Sequence, residues 1–283
     1  MDIQNIVVIG TGAMGSGIAY VSAVAGYNVT VLDREQKFLD AGMEKIKQAL
    51  MQGIDRGKMS PAEGQKVFQR IKATLDMKEA LEGAHLVIEA VFEDMDVKKE
   101  VFSNLSDLAD EKTILASNTS TLSITEISTV VKKPERVIGL HFFNPPAAMK
   151  LVEVVLGKET SEDVKEKAIA FVQKLGKQPI VTKDSPGFIV NRVLLPALNE
   201  AAKLLDEGVA AAEDIDKALV LGANFPVGPL TLADMVGLDV ALASQRTMER
   251  AFGECYKPAE ILVKLVEEGN LGIKTGKGFF EYK

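Results

Sequence analysis

Six residues near the start of the chain, Gly10-Thr11-Gly12-Ala13-Met14-Gly15, lie between the apolar run Ile6 to Ile9 and an apolar helical pattern, and they narrow the fold to a small set. A strand that turns into a helix through glycines at this spacing needs each of them for its own reason. The first permits the tight turn, the second lets the backbone approach a pyrophosphate, and the third lets helix and strand pack closely. The helix N-terminus then offers unpaired N–H groups and partial positive charge to phosphates. Gly10, Gly12, Ala13, Met14 and Gly15 are therefore candidate dinucleotide contacts.

Glycines cluster in many turns, so the motif gains force from Asp33, 18 residues beyond Gly15 at the end of a second strand-like run, Val29 to Leu32. A carboxylate there accepts hydrogen bonds from an adenosine ribose and repels a 2′-phosphate. NAD is favoured over NADP, although the neighbouring Arg34 weakens the preference and leaves NADP open.

The pattern continues with Leu86 to Glu89, Ile114 to Ala116 and Val137 to Leu140, continuously apolar runs expected of parallel strands covered on both faces. Helical spacing separates them, which makes the fold class α/β, a doubly wound sheet of Rossmann type. Between Asp33 and a strand near Arg70, Phe38, Met43, Ile46, Leu50 and Ile54 form one helical stripe, and Ser60-Pro61 reads as a cap with a first-turn proline. An inserted helical hairpin is expected there. Two further short strands, Leu151 to Val155 and Pro179 to Val181, are expected at the sheet edge.

Asp184-Ser185-Pro186-Gly187 punctuates the chain, so a domain boundary is placed there, with a dinucleotide-binding domain over 1–185 and an all-α domain over 186–283. Its expected helices are Phe188 to Glu207, kinked at Pro196, then Glu213 to Leu221, Leu230 to Ala251 and Pro258 to Glu268.

A net charge of −7 argues against binding nucleic acid or anionic membranes, and no apolar run reaches the roughly 18 residues a membrane helix needs. The lone Cys255 excludes an internal disulfide and a multi-thiolate metal site, and no metal is expected. A reducing cytoplasm fits, and the opening MDIQNIVVIG carries no leader pattern.

Proton transfer has two histidine candidates. His85 lies where a strand begins, opposite the expected ligand end, and reads as structural. His141, in GLHFFNPP, lies just past the carboxyl end of a strand, where open α/β sheets bind ligands. Asn144 follows closely, and Glu153 is a carboxylate able to fix the imidazole tautomer and stabilise its protonated form. The residues alone leave open whether Glu153 serves His141 or caps a sheet edge.

Several segments together resemble the 3-hydroxyacyl-CoA dehydrogenase family, in particular its short bacterial members acting on 3-hydroxybutyryl-CoA. They are VIGTGAMGSGIA, VIEAVFED, ASNTSTLSIT, GLHFFNPP, MKLVEVV, DSPGFIVNR, EDIDKALVLGANFPVGP and KTGKGFFEY, in order along nearly the whole chain. The resemblance implies that His141 is the general acid/base, supported by Glu153, and that Ser120, Asn191 and Asn144 contact the substrate. It also places Ser120, Asn144, Glu93, Lys98 and Lys274 near the cofactor; as bare charges, the last three read as solvated surface residues. Ser120 taken singly is a plausible turn residue, and Asn191 a plausible polar helix position.

For the coenzyme A phosphates the hairpin offers Lys45, Lys47, Arg56 and Lys58, of which Arg56 is the chosen candidate. The match is loose there: Ala49 stands where a serine contact is expected. Ala147, Ala148 and Thr121 also depart from the commoner pattern without removing a catalytic group. The implied partners are an acyl-CoA substrate and a second copy of the chain, as a homodimer through the C-terminal domain. Competing readings are a sugar-acid oxidoreductase on the same scaffold and an NAD-binding protein without turnover.

Overall fold

Residues 3–282 are described by a computed structural model of the chain, which divides into two compact units, Met1–Asp184 and Ser185–Lys283.

The first unit alternates strand and helix: β1 Asn5–Ile9, α1 Ala13–Val24, β2 Asn28–Leu32, α2 Gln36–Asp55, α3 Pro61–Gln69, β3 Ile71–Thr74, α4 Met77–Leu81 and β4 Leu86–Glu89. It continues with α5 Met95–Leu108, β5 Ile114–Ser117, α6 Ile124–Ser128, β6 Val137–Phe142, β7 Leu151–Leu156, α7 Glu162–Lys174 and β8 Gln178–Lys183. The strands form one sheet in the order β3-β2-β1-β4-β5-β6-β7-β8. Strands β1 to β6 are parallel to their neighbours, whereas β7 runs antiparallel to β6 and β8 parallel to β7. Only β8 is an edge at that end; β7 lies one strand inside it, contrary to the expectation for both.

The apolar runs explain the sheet. Ile6, Val8, Ile88, Leu140 and Val152 are buried in a single core with Ile18 of α1 and Phe171 of α7. Strand order reverses between β1 and β4, and in open α/β sheets the crevice beyond the carboxyl ends at such a reversal is where ligands bind. The hairpin of α2 and α3 fills the β2 to β3 connection. Its second helix starts at a full capping box, in which Ser60 accepts from Glu63 N and the Glu63 carboxylate accepts from Ser60 N at 2.7 Å.

The second unit holds α8 Val190–Asp206, α9 Ala212–Ala223, α10 Pro229–Val236, α11 Leu238–Phe252 and α12 Glu260–Glu267. The expected single helix from Leu230 to Ala251 is two, because Gly237 stands at φ 100°, outside helical space, and breaks the run. Helix α8 continues through Pro196. Buried Asp234 gathers the terminal motif by accepting from Phe279 N, Phe280 N and the Tyr282 hydroxyl. A Cβ on Gly278 would stand 2.0 Å from the Asp234 carboxylate, so the glycine in KTGKGFFEY serves close packing. Among the described residues, no helix is long and apolar enough to cross a membrane.

Candidate active site

The three glycines differ in what their neighbours demand. Gly10 sits at φ 90°, and a Cβ there would lie 2.7 Å from the Ala90 carbonyl oxygen. A Cβ on Gly15 would lie 1.7 Å from the Gly10 carbonyl oxygen, so α1 packs against the loop only because that side chain is absent. Gly12 has neither reason: its φ is −63° and a Cβ would meet nothing within 4 Å. The missing side chain leaves open space beside the first turn of α1, whose N–H groups at Ala13 and Met14 precede the first α-helical bond, Ser16 N to Gly12 O. Such a cradle fits a dinucleotide pyrophosphate.

Asp33 lies at the end of β2, oriented from within. Its Oδ2 accepts from Thr11 N and the Thr11 hydroxyl, each at 2.7 Å, and its Oδ1 accepts from Arg34 N at 2.8 Å. Thr11 is held in turn by α2, since a Cβ on Gly42 would lie 2.3 Å from the Thr11 Cβ. The carboxylate is thus fixed beside the glycine loop.

His141 is a β6 residue whose direct cross-strand partner is Glu153 of β7. Antiparallel register sets the two side chains on the same face, and His141 Nδ1 lies 2.6 Å from Glu153 Oε2. Glu153 is fully buried in the interior of the sheet, which removes the edge-cap reading. With the carboxylate as acceptor, Nδ1 carries the hydrogen, and in the neutral imidazole Nε2 is then the accepting nitrogen. The Phe143 ring packs on the imidazole, centroids 4.3 Å apart. His85, by contrast, accepts from Asn5 N through its Nδ1 at 3.1 Å, a structural contact at the amino end of the sheet.

A second charged group forms beyond the carboxyl ends of β4 and β5. Glu93 Oε1 accepts from the Thr119 hydroxyl at 2.6 Å, Ser120 N at 2.7 Å and the Ser120 hydroxyl at 3.2 Å. Its Oε2 lies 3.3 Å from Lys98 Nζ. Burial works against the Glu93 charge, but the Lys98 ammonium and the Thr119 and Ser120 hydrogen bonds outweigh it and hold the carboxyl below its ordinary range. Lys98 is no solvated surface lysine: only 1% of its side chain is exposed, and it also pairs with the fully buried Glu89 at 2.7 Å. Its stem lies on the buried face of α5, next to Phe102 and Leu105 in the burial pattern, which the charge alone did not suggest.

Two contributors were missed in the sequence. Glu89 ends the apolar strand VIE, and a carboxylate closing such a run is the signal that could have found it. Asn118 accepts from Phe142 N at 3.0 Å through its Oδ1, tying the loop after β5 to the strand that carries His141.

The remaining candidates lie on other elements. Asn144 is exposed at the start of the β6 to β7 loop, which Lys177 secures by donating to the carbonyls of Pro146 and Met149 at 2.5 and 2.6 Å. Arg56 is exposed at the C-cap of α2. Asn191 belongs to the first turn of α8 and Lys274 to a 3-10 turn near the C-terminus, both in the second unit; Lys274 Nζ pairs with Asp239 at 2.5 Å.

The family model for the NAD binding domain of 3-hydroxyacyl-CoA dehydrogenase matches residues 5–185, and that for its C-terminal domain matches residues 187–282. The chain is 44% identical over 284 residues to a probable 3-hydroxybutyryl-CoA dehydrogenase of Bacillus subtilis, covering 100% of this chain and 99% of that one. It is 42% identical to the 3-hydroxybutyryl-CoA dehydrogenase of Clostridioides difficile, with 99% of each covered. The crystal structure of (S)-3-hydroxybutyryl-CoA dehydrogenase from Ralstonia eutropha superimposes with a TM-score of 0.94 at 39% identity, covering both chains in full. These matches define an oxidoreductase with a domain that binds a nicotinamide dinucleotide. The chain belongs to the 3-hydroxyacyl-CoA dehydrogenase family.

Proposed function

We propose that the chain interconverts (S)-3-hydroxybutyryl-CoA and acetoacetyl-CoA with NAD as its cofactor. The observation that carries this reading is the buried His141–Glu153 pair at 2.6 Å, near the carboxyl end of β6 where β7 pairs with it. NAD, when bound, supplies the hydride acceptor and donor for C3 of the substrate. Gly10, Gly12, Ala13, Met14 and Gly15 cradle its pyrophosphate, and Asp33 receives the adenosine ribose hydroxyls. Glu93 and Lys98 serve the nicotinamide ribose and the pyrophosphate, and Lys274 is a further cofactor contact.

In the oxidative direction His141 Nε2 accepts the proton of the substrate 3-hydroxyl, and Glu153 stabilises the imidazolium that results. In the reductive direction the same imidazolium returns the proton to the 3-oxo oxygen. Ser120, Asn144 and Asn191 hydrogen-bond the substrate so that its C3 is in line for transfer. Arg56 meets a coenzyme A phosphate. The chain works as a homodimer through its C-terminal unit, in the cytoplasm.

The test is the fall in NADH absorbance with acetoacetyl-CoA, beside NADPH and free acetoacetate. Rapid NADH oxidation confined to the thioester supports the reaction and the coenzyme A requirement together. A folded, NADH-binding sample that leaves acetoacetyl-CoA unchanged overturns the proposal.

A further inference from the structure

We propose that Glu89 is a positioning residue for this reaction, holding Ser120 and Lys98 in place through a buried charged staple between the loops that follow β4 and β5. The inference rests on the reading of the site given above, in which Ser120 meets the substrate.

Glu89 closes β4 and is fully buried, and both of its carboxyl oxygens meet donors. Its Oε1 accepts from Val91 N and from Lys98 Nζ, both at 2.7 Å, and its Oε2 accepts from the Ser117 hydroxyl at 2.7 Å. From there two routes lead to the same place. Lys98 passes to Glu93, which accepts from Ser120 N and the Ser120 hydroxyl. Ser117 accepts from Thr119 N at 3.2 Å, and the Thr119 hydroxyl donates to Glu93 at 2.6 Å. Glu89 is the point from which both routes start, at the register position opposite Ser117.

Two carboxylates and one ammonium within such a cluster leave an excess negative charge, and taking Glu89 and Lys98 out of water is costly. Buried ion groups of this kind rarely add net stability compared with apolar residues of similar volume. What the arrangement does supply is geometry: each Glu89 oxygen points at a donor from a different element, so the loop carrying Ser120 and the helix carrying Lys98 have one mutual placement. A shift of about 1 Å in such a group can cost roughly a hundredfold in rate.

The test is a double-mutant cycle on kcat/KM for acetoacetyl-CoA and NADH, using Glu89→Gln and Ser120→Ala, well below the melting temperature of either variant. Glutamine keeps the shape and removes the charge that holds Lys98. Glu89→Gln is expected to lower kcat/KM roughly ten- to a hundredfold in the otherwise unaltered protein and several-fold less when Ser120 is already alanine. Equal losses in the two backgrounds, or a lowered melting temperature with kcat/KM intact, overturn the proposal and leave Glu89 a structural ion partner. If Glu89→Gln does not fold, Ser117→Ala removes one arm of the staple and takes its place in the cycle, with the same outcomes.

Should the unaltered protein bind NADH but not turn over the thioester, the reaction reading fails by itself. The staple is then judged by NADH affinity: about tenfold weaker binding in Glu89→Gln sustains it, and unchanged binding overturns it.

Discussion

His141 and Glu153 are direct partners across the antiparallel junction of β6 and β7, and their side chains meet at 2.6 Å. The antiparallel strand is what makes this possible in an otherwise parallel sheet: β7 turns back after β6 and brings a carboxylate to the same end as the imidazole. Removing the imidazole in His141→Ala is expected to lower kcat by roughly a hundred- to ten-thousandfold while NADH affinity is kept. Glu153→Gln, which leaves the volume intact but cannot stabilise an imidazolium, should lose at least about tenfold in kcat. Steady-state rates with NADH titrations by fluorescence check both, and a His141→Ala enzyme turning over at the original rate would remove His141 as the acid/base.

Asp33 offers a second measurement, because its carboxylate is fixed by Thr11 and Arg34 backbone N–H groups rather than mobile. Asp33→Ala deletes a ribose acceptor and also the charge that repels a 2′-phosphate. NADH binding should weaken by about tenfold, and the preference for NADH over NADPH should shrink by more than that. The ratio of the two dissociation constants is the readout; an unchanged ratio means that selectivity is set elsewhere.

Periodicity and turn chemistry made the strands and the hairpin legible. Ile6 to Ile9 and Leu86 to Ile88 are apolar without interruption because both sheet faces are covered, and Ser60-Pro61 is a helix start by its chemistry alone. The break at Gly237 was hidden because apolar spacing runs across it, and one glycine in a helical pattern is usually tolerated. The position of β7 inside the sheet depends on pairing with β8, a contact between residues far apart in sequence. Lys98 and Glu89 illustrate the same limit for the site: composition treats lysine as a surface residue, whereas burial here follows from partners on other elements. The His141–Glu153 register was open until the strand direction was known.

Glu93 makes acid stability a test of the second cluster. Its carboxyl is held below the ordinary range by Lys98 and its hydrogen bonds against the opposing effect of burial. The unfolded chain therefore binds a proton at Glu93 at a higher pH than the folded chain does. The stabilisation is complete above the ordinary carboxylate range, about pH 6, and declines as the pH falls through about 4.3 and on through the lower folded value. The difference in melting temperature between the unaltered protein and Glu93→Gln should be largest near pH 6 and shrink towards pH 3. A difference that stays constant across that interval would mean that Glu93 keeps the same proton occupancy in both states.

Gly12 and Gly15 separate ligand accommodation from chain packing within one loop. A Cβ on Gly15 collides with the Gly10 carbonyl oxygen at 1.7 Å, whereas a Cβ on Gly12 meets nothing within 4 Å. Gly15→Ala must push α1 away from β1 and should destabilise the fold by about 1–3 kcal/mol, as overpacked sites do. Gly12→Ala places its methyl in open space at φ −63° and should change stability by less than about 1 kcal/mol. Yet that methyl occupies the approach of the pyrophosphate to the backbone, so NADH affinity should fall by at least about tenfold. Thermal melting without cofactor reads the first effect and NADH fluorescence the second. A Gly12→Ala protein that melts normally and binds NADH normally would show that the dinucleotide does not lie against this turn.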